Sequence, residues 1–423
     1  MIEILNIILQ LVFVSFSFII LSPNQFVFFN RKIELSFEDN CIFSFVFFFN
    51  ILFLMSITNL SKNLIILIFL IFFVIFIFNK QHLKIFENKK FMILIFSIIT
   101  FSISLDLVAN SSFGWDSQKF WLPKASYFFN DYHFNEIMDH RKEYPFLFSY
   151  VWGLFWKLSF FQYEYFGRIA FVSIYTFCIF YFVNKFNLNS FAKTIVALCI
   201  IILTYNLSYF DGRQDIILFS LNLLVAALFK EIFFSFKKNL FHFYLLPFVF
   251  NLILWCKTEG IVYFLIFSFI ILYFSKYNKL HKIFFTCLCV FFIILKFSLY
   301  YFNEITLTPH EEAYSNFEFQ FVNMLENFYY TIKWSILYLF RNLYLLLILV
   351  IIFLDRKSLL NKSNLNIILA SILIYLAIVA GFTVTTYPMP FHVIGGLDRV
   401  LFQFSGFLSI FLIVSKKINK LFI

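Results

Sequence analysis

The chain is poor in charged residues, glycine and proline. Of its 423 residues only 13% are charged, and it contains 9 glycines and 7 prolines. Soluble domains carry about 25% charged residues, so the composition excludes a soluble globular enzyme, a disordered chain and a coiled coil. No glycine-rich loop for nucleotide phosphates is present either.

Cysteine is also sparse, and its spacing predicts neither zinc sites nor disulfides. Cys287 and Cys289 lie two positions apart on a predicted helix, so their side chains point to different sides. Six cysteines are present, most of them inside apolar runs: Cys41, Cys178, Cys199, Cys256, Cys287 and Cys289.

Hydrophobic residues make up 62% of the chain, and the mean hydropathy is +0.88. The apolar runs are continuous, whereas the strands of outer-membrane barrels alternate polar and apolar residues. A membrane-spanning helix needs about 20 apolar residues. These features predict an all-α polytopic membrane protein. The 72 phenylalanines accompany many Ile, Asn and Lys residues, and all four amino acids have A/T-rich codons. We therefore attribute the phenylalanine clusters to the base composition of the genome and not to function.

Apolar runs of helix length predict about thirteen transmembrane helices, and one further run, 145–161, is ambiguous. The first run contains Glu3 and no preceding Lys or Arg, so it lacks the basic start of a signal peptide and is expected to be retained. The predicted spans lie near 3–22, 41–57, 63–78, 91–108, 167–184, 191–209, 214–230, 241–255, 259–275, 283–301, 331–353, 365–385 and 398–414.

The positive-inside rule decides the role of 145–161. If this run does not cross, most basic residues fall in loops on one side, the cytoplasmic side; if it crosses, they divide between both sides. We therefore expect a re-entrant or interfacial helix there, an outer N-terminus, an inner C-terminus, and outer loops at 109–166 and 302–330. The net charge of +10 then reflects cytoplasmic loops rather than nucleic-acid binding. The interface residues expected in this helix are Tyr150, Trp152, Trp156 and Lys157.

The first outer loop carries the densest polar motif, Gly114-Trp115-Asp116-Ser117-Gln118-Lys119-Phe120-Trp121-Leu122-Pro123-Lys124-Ala125. Asp116 precedes a predicted amphipathic helix at about 117–129. An aspartate there is either a helix cap or a general base at the membrane surface.

Other polar residues recur where predicted spans begin. Asp211 and Asp215 are four apart at the start of the span 214–230, so they share a helix face or cap the helix. Lys257 and Glu259 lie between two predicted spans. They are either residues of a functional site or an ion pair at the membrane interface. Arg399 lies at the start of the last predicted span. It is either a ligand for a phosphate or an anchor whose charged end reaches the membrane surface.

Two patterns in the loop resemble a known family. Trp-Asp-x4-Trp-x2-Lys-Ala begins at Trp115, and His140-x3-Tyr144-Pro145 follows about twenty residues later. Together they resemble the first periplasmic loop of the GT-C class of membrane glycosyltransferases, in the branch of protein-mannosyltransferases and aminoarabinose transferases. Lys257-Thr258-Glu259-Gly260 is similar to a turn of that branch.

The resemblance implies transfer of a sugar from a polyprenyl-phosphate carrier, with Asp116 as the base. It covers about 91–414; we divide the chain into N-terminal transmembrane helices at 1–90 and a GT-C-like module at 91–423. A single base suits displacement with inversion, and Lys124, Lys257 and Arg399 are candidates for the phosphate. Further candidates for donor or acceptor binding are His140, Tyr144, Arg168, Asp211, Asp215 and Glu259.

The cofactor is open: Asp211 and Asp215 could hold a divalent metal or the acceptor. The expected partners are the lipid-linked donor, membrane lipids and a glycan, lipid or protein acceptor, with no nucleic acid. The expected location is the cytoplasmic membrane of a bacterium, with the active site on its outer face.

Three other functions compete with this interpretation: a transporter or channel, a membrane assembly protein without catalysis, and an outer-face polysaccharide ligase or polymerase. Transporters place paired charges near the midplane, whereas most acidic residues here are predicted on one face. Arg341 lies deep in the predicted span 331–353; either it is functional or the membrane begins near Tyr338.

Overall fold

The computed structural model is that of a predominantly helical, multi-pass membrane protein. The structure describes residues 2–18, 25–28, 31–58, 67, 90–110, 112–132, 134, 144–159, 161–235, 240–305, 317–361, 364–384 and 391–421.

The helices follow the continuous apolar runs of the sequence. In chain order they are α1 (Ile2–Ser17), α2 (Phe37–Thr58), α3 (Lys90–Ala109), α4 (Leu122–Phe129), α5 (Leu147–Lys157), α6 (Glu164–Asn184), α7 (Ser190–Thr204), α8 (Asp215–Phe234), α9 (Leu240–Leu254), α10 (Gly260–Phe274), α11 (Lys279–Phe302), α12 (Phe317–Arg341), α13 (Leu343–Leu354), α14 (Arg356–Leu359), α15 (Leu365–Val384), α16 (Phe391–Leu408), α17 (Ile410–Val414) and α18 (Lys416–Leu421).

Seven helices in the described part of the chain are long and apolar enough to cross a membrane. They are α2, α3, α6, α8, α11, α15 and the α16–α17 segment; the bent pair α12–α13 counts as an eighth if it forms one span. Helices α1, α7, α9 and α10 are apolar but only 15 or 16 residues long. The predicted run 63–78 lies outside the described residues, apart from Leu67.

The expected all-α architecture is confirmed, with one short hairpin between two helices. Strands β1 (Gln25–Phe28) and β2 (Arg31–Glu34) pair antiparallel, with Gln25 opposite Glu34 and Phe28 opposite Arg31. They lie between α1 and α2, where pairing between the strands satisfies backbone groups that a helix would satisfy internally.

Helices α6 and α8 form the centre of the bundle. In the apolar part of α6 94% of the residues are buried, against 28% in α11. Helix α8 packs against α6, α9 and α16. The N-terminal helices share this core: Gln10 donates to the carbonyls of Phe155 and Phe166, and Asn50 donates to that of Phe248. The sequence division at residue 90 is therefore not a division of the hydrophobic core.

The loop after α3 folds into a π-helical turn (Ser117–Trp121), α4 and α5. Helix α5 has 11 residues, about 16 Å, and is too short to cross a bilayer. The expected interfacial role of Tyr150 and Trp152 is wrong, because both are buried inside the protein. The Trp152 ring packs on Gly212, which has a φ of +104° and whose Cβ, if present, would lie 2.3 Å from that ring.

The predicted span 331–353 is broken in the structure, and the predicted loop 302–330 contains the start of a helix. Helix α12 already begins at Phe317, and it ends at Arg341 with a bend of 91° to α13. Asn342 causes the break locally, because its side chain accepts the backbone N–H of Leu345 at 3.1 Å and caps α13.

The bundle has two polar ends. At the basic end, α2, α6 and α9 meet at Asp39, whose Oδ1 accepts hydrogen bonds from Tyr181 at 3.2 Å and Lys185 at 3.1 Å and lies 2.8 Å from Nε2 of His242. At the loop end, the start of α6 meets the segment before α8 through Arg168 and the carbonyl of Phe210. The chain alternates between these two ends from α6 to α11.

We predict that both ends of α5 lie on the same side of the membrane, because this helix does not cross. In a background with the exposed cysteines Cys199 and Cys287 replaced by serine, Asn130→Cys and Phe161→Cys should react with a membrane-impermeant maleimide from one side. Lys276→Cys, at the basic end, should react only from the other. Labelling of Phe161→Cys together with Lys276→Cys would contradict the topology.

Candidate functional site

Asp116 is positioned by contacts between two loops at the loop end. The backbone N–H of Gly114 donates to Asp211 Oδ2 at 3.1 Å. A Cβ at position 114 would lie 2.6 Å from that oxygen, so the close approach requires glycine. Arg213 Nε donates to Asp211 Oδ1 at 3.0 Å and fixes this carboxylate. Asp211 thus holds the loop that carries Asp116.

Asp116 does not cap a helix. Its φ and ψ, −58° and −41°, are already helical, and its side chain makes no capping hydrogen bond. Instead, Arg399 Nη1 on α16 donates to Asp116 Oδ2 at 2.6 Å. The Asp116 side chain remains 31% exposed. The π-helical turn that follows is rare and is often found at functional sites.

A second ion pair lies deeper. Lys257 Nζ donates to Asp215 Oδ1 at 2.8 Å, and Gln403 Nε2 donates to the same oxygen at 2.5 Å. Lys257 also lies 3.6 Å from Glu259. Burial alone would lower the pKa of Lys257, but the carboxylates of Asp215 and Glu259 outweigh burial and raise it above its ordinary value. Lys257 is therefore charged.

Helix α16 joins the two pairs, because Arg399 and Gln403 are one turn apart on it. The charge of Arg399 also acts on Asp215 and Glu259. The structure therefore brings together five residues predicted from the sequence: Asp116, Asp215, Lys257, Glu259 and Arg399.

Arg168 lies behind this network. Its guanidinium is fully buried, donates to both carboxylate oxygens of Glu164 at 2.7 and 2.9 Å, and donates to the carbonyl of Phe210 at 3.3 Å. It also stacks at 4.4 Å from the ring centroid of Phe113. Through these contacts Arg168 connects α6 to the two loops that position Asp116.

Lys124 and Tyr144 lie within the first loop. The buried Lys124 ammonium donates to the Tyr144 carbonyl at 2.7 Å and lies 5.7 Å from the ring centroids of Trp121 and Tyr144. This hydrogen bond connects α4 to the segment before α5. Lys124 therefore binds within the first loop and not at the Asp116–Arg399 pair. His140 lies outside the described residues.

The sequence did not reveal four residues that complete the network. Gln403 is four positions after Arg399, a helical spacing that could have indicated it; Arg213 directly follows Asp211 and Gly212. Tyr209 is partly buried, and burial together with Asp398 and Asp215 raises its pKa. The charge of Arg341 also acts on Asp398.

The residues do not form an evident metal centre. Asp211 and Asp215, the candidate ligands, are engaged by Arg213 and Lys257 respectively. In the described ranges, no group of three or more His, Cys, Asp or Glu side chains could hold a metal ion.

Comparisons with profiles of known families, with curated proteins and with solved structures give no match. The resemblance to GT-C glycosyltransferases therefore rests on the motifs quoted above.

We predict that Asp215→Asn destabilises the protein, because it leaves the charged Lys257 buried without its nearest carboxylate. Removing one partner of a buried ion pair costs about 3–5 kcal/mol, and Glu259, which remains at 3.6 Å, places the loss near the lower value. The measurement is the midpoint of thermal unfolding in detergent.

Asp131→Asn is the matched control, because Asp131 forms an exposed ion pair with Lys157. The side chain of Asp131 is 57% exposed and that of Lys157 is 30% exposed. Exposed ion pairs contribute about 0–1 kcal/mol to stability. The double variant Asp215→Asn with Lys257→Met should recover most of the loss. Equal stability of Asp215→Asn and Asp131→Asn would show that the buried pair is not needed.

Proposed function

We propose that the protein is a membrane glycosyltransferase that transfers a sugar from a polyprenyl-phosphate carrier to an acceptor hydroxyl, with inversion. The observation that supports this most is the state of Asp116: a half-buried carboxylate that caps no helix and is held by one cation, Arg399. Such a carboxylate has an oxygen left to accept a proton, as a general base requires.

In the proposed step, Asp116 takes the proton of the acceptor hydroxyl. The acceptor oxygen forms a bond to the anomeric carbon while the bond from that carbon to the phosphate oxygen breaks. The phosphate leaves with the electron pair as polyprenyl phosphate. One carboxylate suffices for this displacement, whereas a retaining reaction needs a second one as nucleophile.

The second support is a set of hydrogen-bonding atoms without partners in the network that includes Asp116. Asp215 Oδ2, Gln403 Oε1 and Arg399 Nε are buried and have no hydrogen-bond partner among the described residues. Buried polar atoms are nearly always paired with protein or water. Two acceptors and one donor in one network suit the hydroxyl groups of a sugar, or water in its absence.

The proposal includes the finer topology. Thirteen spans in the cytoplasmic membrane of a bacterium would place the basic loops in the cytoplasm and the loop end with Asp116 on the outer face. Lipid-linked sugars present their phosphate at the membrane surface, where this loop would meet them.

A transporter is the second candidate, and the broken helix pair α12–α13 favours it. Discontinuous helices that line ion and substrate sites are typical of transporters, and the bend of 91° lies at Asn342, directly after Arg341. The two functions differ in outcome: only the transferase releases polyprenyl phosphate from a lipid-linked sugar.

We predict that Asp116→Asn abolishes transfer but leaves donor binding intact. Asparagine keeps the shape and the contact with Arg399 but accepts no proton, and loss of a general base costs about 10²–10⁴-fold in rate. Release of polyprenyl phosphate from a panel of polyprenyl-phosphate sugars measures the rate in membranes. Donor binding is measured separately on purified protein.

Asp131→Asn, outside the network, should keep full activity and serves as the control. Arg399→Ala should lower the rate and also disturb Asp116, because the carboxylate loses its ion pair. Full transfer by Asp116→Asn would refute its role as base, and release of no polyprenyl phosphate by the unmodified protein from any donor would refute the proposed function.

A further inference from the structure

The network at the loop end is rich in carboxylates, which raises the question of where a phosphate would bind. The charge of Arg399 is already shared by Asp116, Asp215 and Glu259, and Lys257 is bound to Asp215. A phosphate placed there would be repelled by several carboxylates. The carboxylates are Asp116, Asp211, Asp215, Glu259 and Asp398, and the cations among them are Arg213, Lys257 and Arg399.

Arg341 is a cation that acts on the network without being bound by it. It is exposed and takes part in no salt bridge within the described ranges, although its charge acts on Asp398 of α16. The cap formed by Asn342 fixes the break immediately after it. Arg341 is therefore fixed at the corner where α12 bends into α13.

The corner lies against α16, the helix that carries Asp398 and Arg399. Helix α13 runs beside α16 and α17: Tyr344 and Ser409 share a hydrogen bond at 2.6 Å, and Ser415 donates to Asp355 at 2.8 Å at the basic end. Helix α12, which ends at Arg341, also packs against α16, and the charge of Arg341 acts on Asp398 of α16.

The side chains around Arg341 face outwards and are apolar. Phe340 is 66% exposed and Leu343 is 61% exposed. In a membrane protein such side chains contact lipid, so Arg341 lies where the lipid-facing surface meets the polar network. A cation flanked by apolar surface is complementary to an anionic lipid: the phosphate meets the guanidinium and the chains meet Phe340 and Leu343.

We propose that Arg341, rather than Arg399, binds the phosphate of the polyprenyl carrier, which approaches from the lipid at the corner between α12 and α13. This inference rests on the proposed function and assigns its donor site. Asp398, whose carboxylate interacts electrostatically with Arg341, then helps to orient the guanidinium, while Arg399 remains with Asp116. The phosphate and the base are held by different cations, so binding of the donor does not withdraw the partner of the base.

The test uses binding of sugar-free undecaprenyl phosphate to the purified full-length protein in nanodiscs of zwitterionic lipid. Arg341→Gln should weaken binding roughly 10- to 100-fold, the loss expected for a charge-assisted contact, and Arg341→Lys should recover part of it. Lys333→Gln, an exposed cation two turns earlier on α12, should bind within about twofold of the unmodified protein. Unfolding midpoints of all variants control for misfolding.

Unchanged binding by Arg341→Gln would overturn the assignment, and so would a loss in Arg399→Gln with none in Arg341→Gln. Competition by inorganic phosphate or phosphatidylglycerol at the same concentration as undecaprenyl phosphate would also overturn it, by showing a site for phosphate in general. Arg341-dependent binding without transfer from any sugar donor would support the lipid site while refuting the proposed glycosyl transfer.

Discussion

A charge that leaves water must keep a partner, and the loop end of this protein is organised around that constraint. Asp215 is fully buried at the start of α8, and it keeps its charge through Lys257 and Gln403. These three residues come from α8, the α9–α10 turn and α16, so one carboxylate joins three parts of the bundle. Because an unpaired buried charge is costly, the relative positions of these parts follow from satisfying Asp215.

Much of the helical architecture was predictable, since a continuous apolar run has little alternative to a helix in a membrane. The failures occurred where a polar side chain overrides hydropathy. Asn342 ends one helix and begins the next within a run that looks like a single span, and hydropathy averages over such a residue. Tyr150 and Trp152 have the amphipathic character of interface residues, but the loop folds back and buries them in protein.

The candidate site was predictable to the extent that its residues were polar at the ends of predicted spans. Asp116, Asp215, Lys257, Glu259 and Arg399 stand out for that reason, and their pairing could not be deduced because it depends on which helix ends are neighbours. Gln403 and Asp398 lie inside or beside an apolar helix and differ little from ordinary polar substitutions in sequence. Arg168 and Lys124, by contrast, stand out as charges in the sequence, but in the structure their hydrogen bonds hold loops in place.

Helix α6 connects the two polar ends, with Lys185 held by Asp39 at one end and Arg168 held by Glu164 and Phe210 near the other. Arg168 and Lys185 are 17 positions apart, which corresponds to about 26 Å along a helix. A tilt of roughly 5° about the Asp39 contact would move Arg168 by about 2 Å, on this rise per residue, and break its bond to Phe210. The contacts at both ends of α6 therefore oppose a tilt of this helix that would displace Phe210, and the adjacent Asp211, from the loop that carries Asp116.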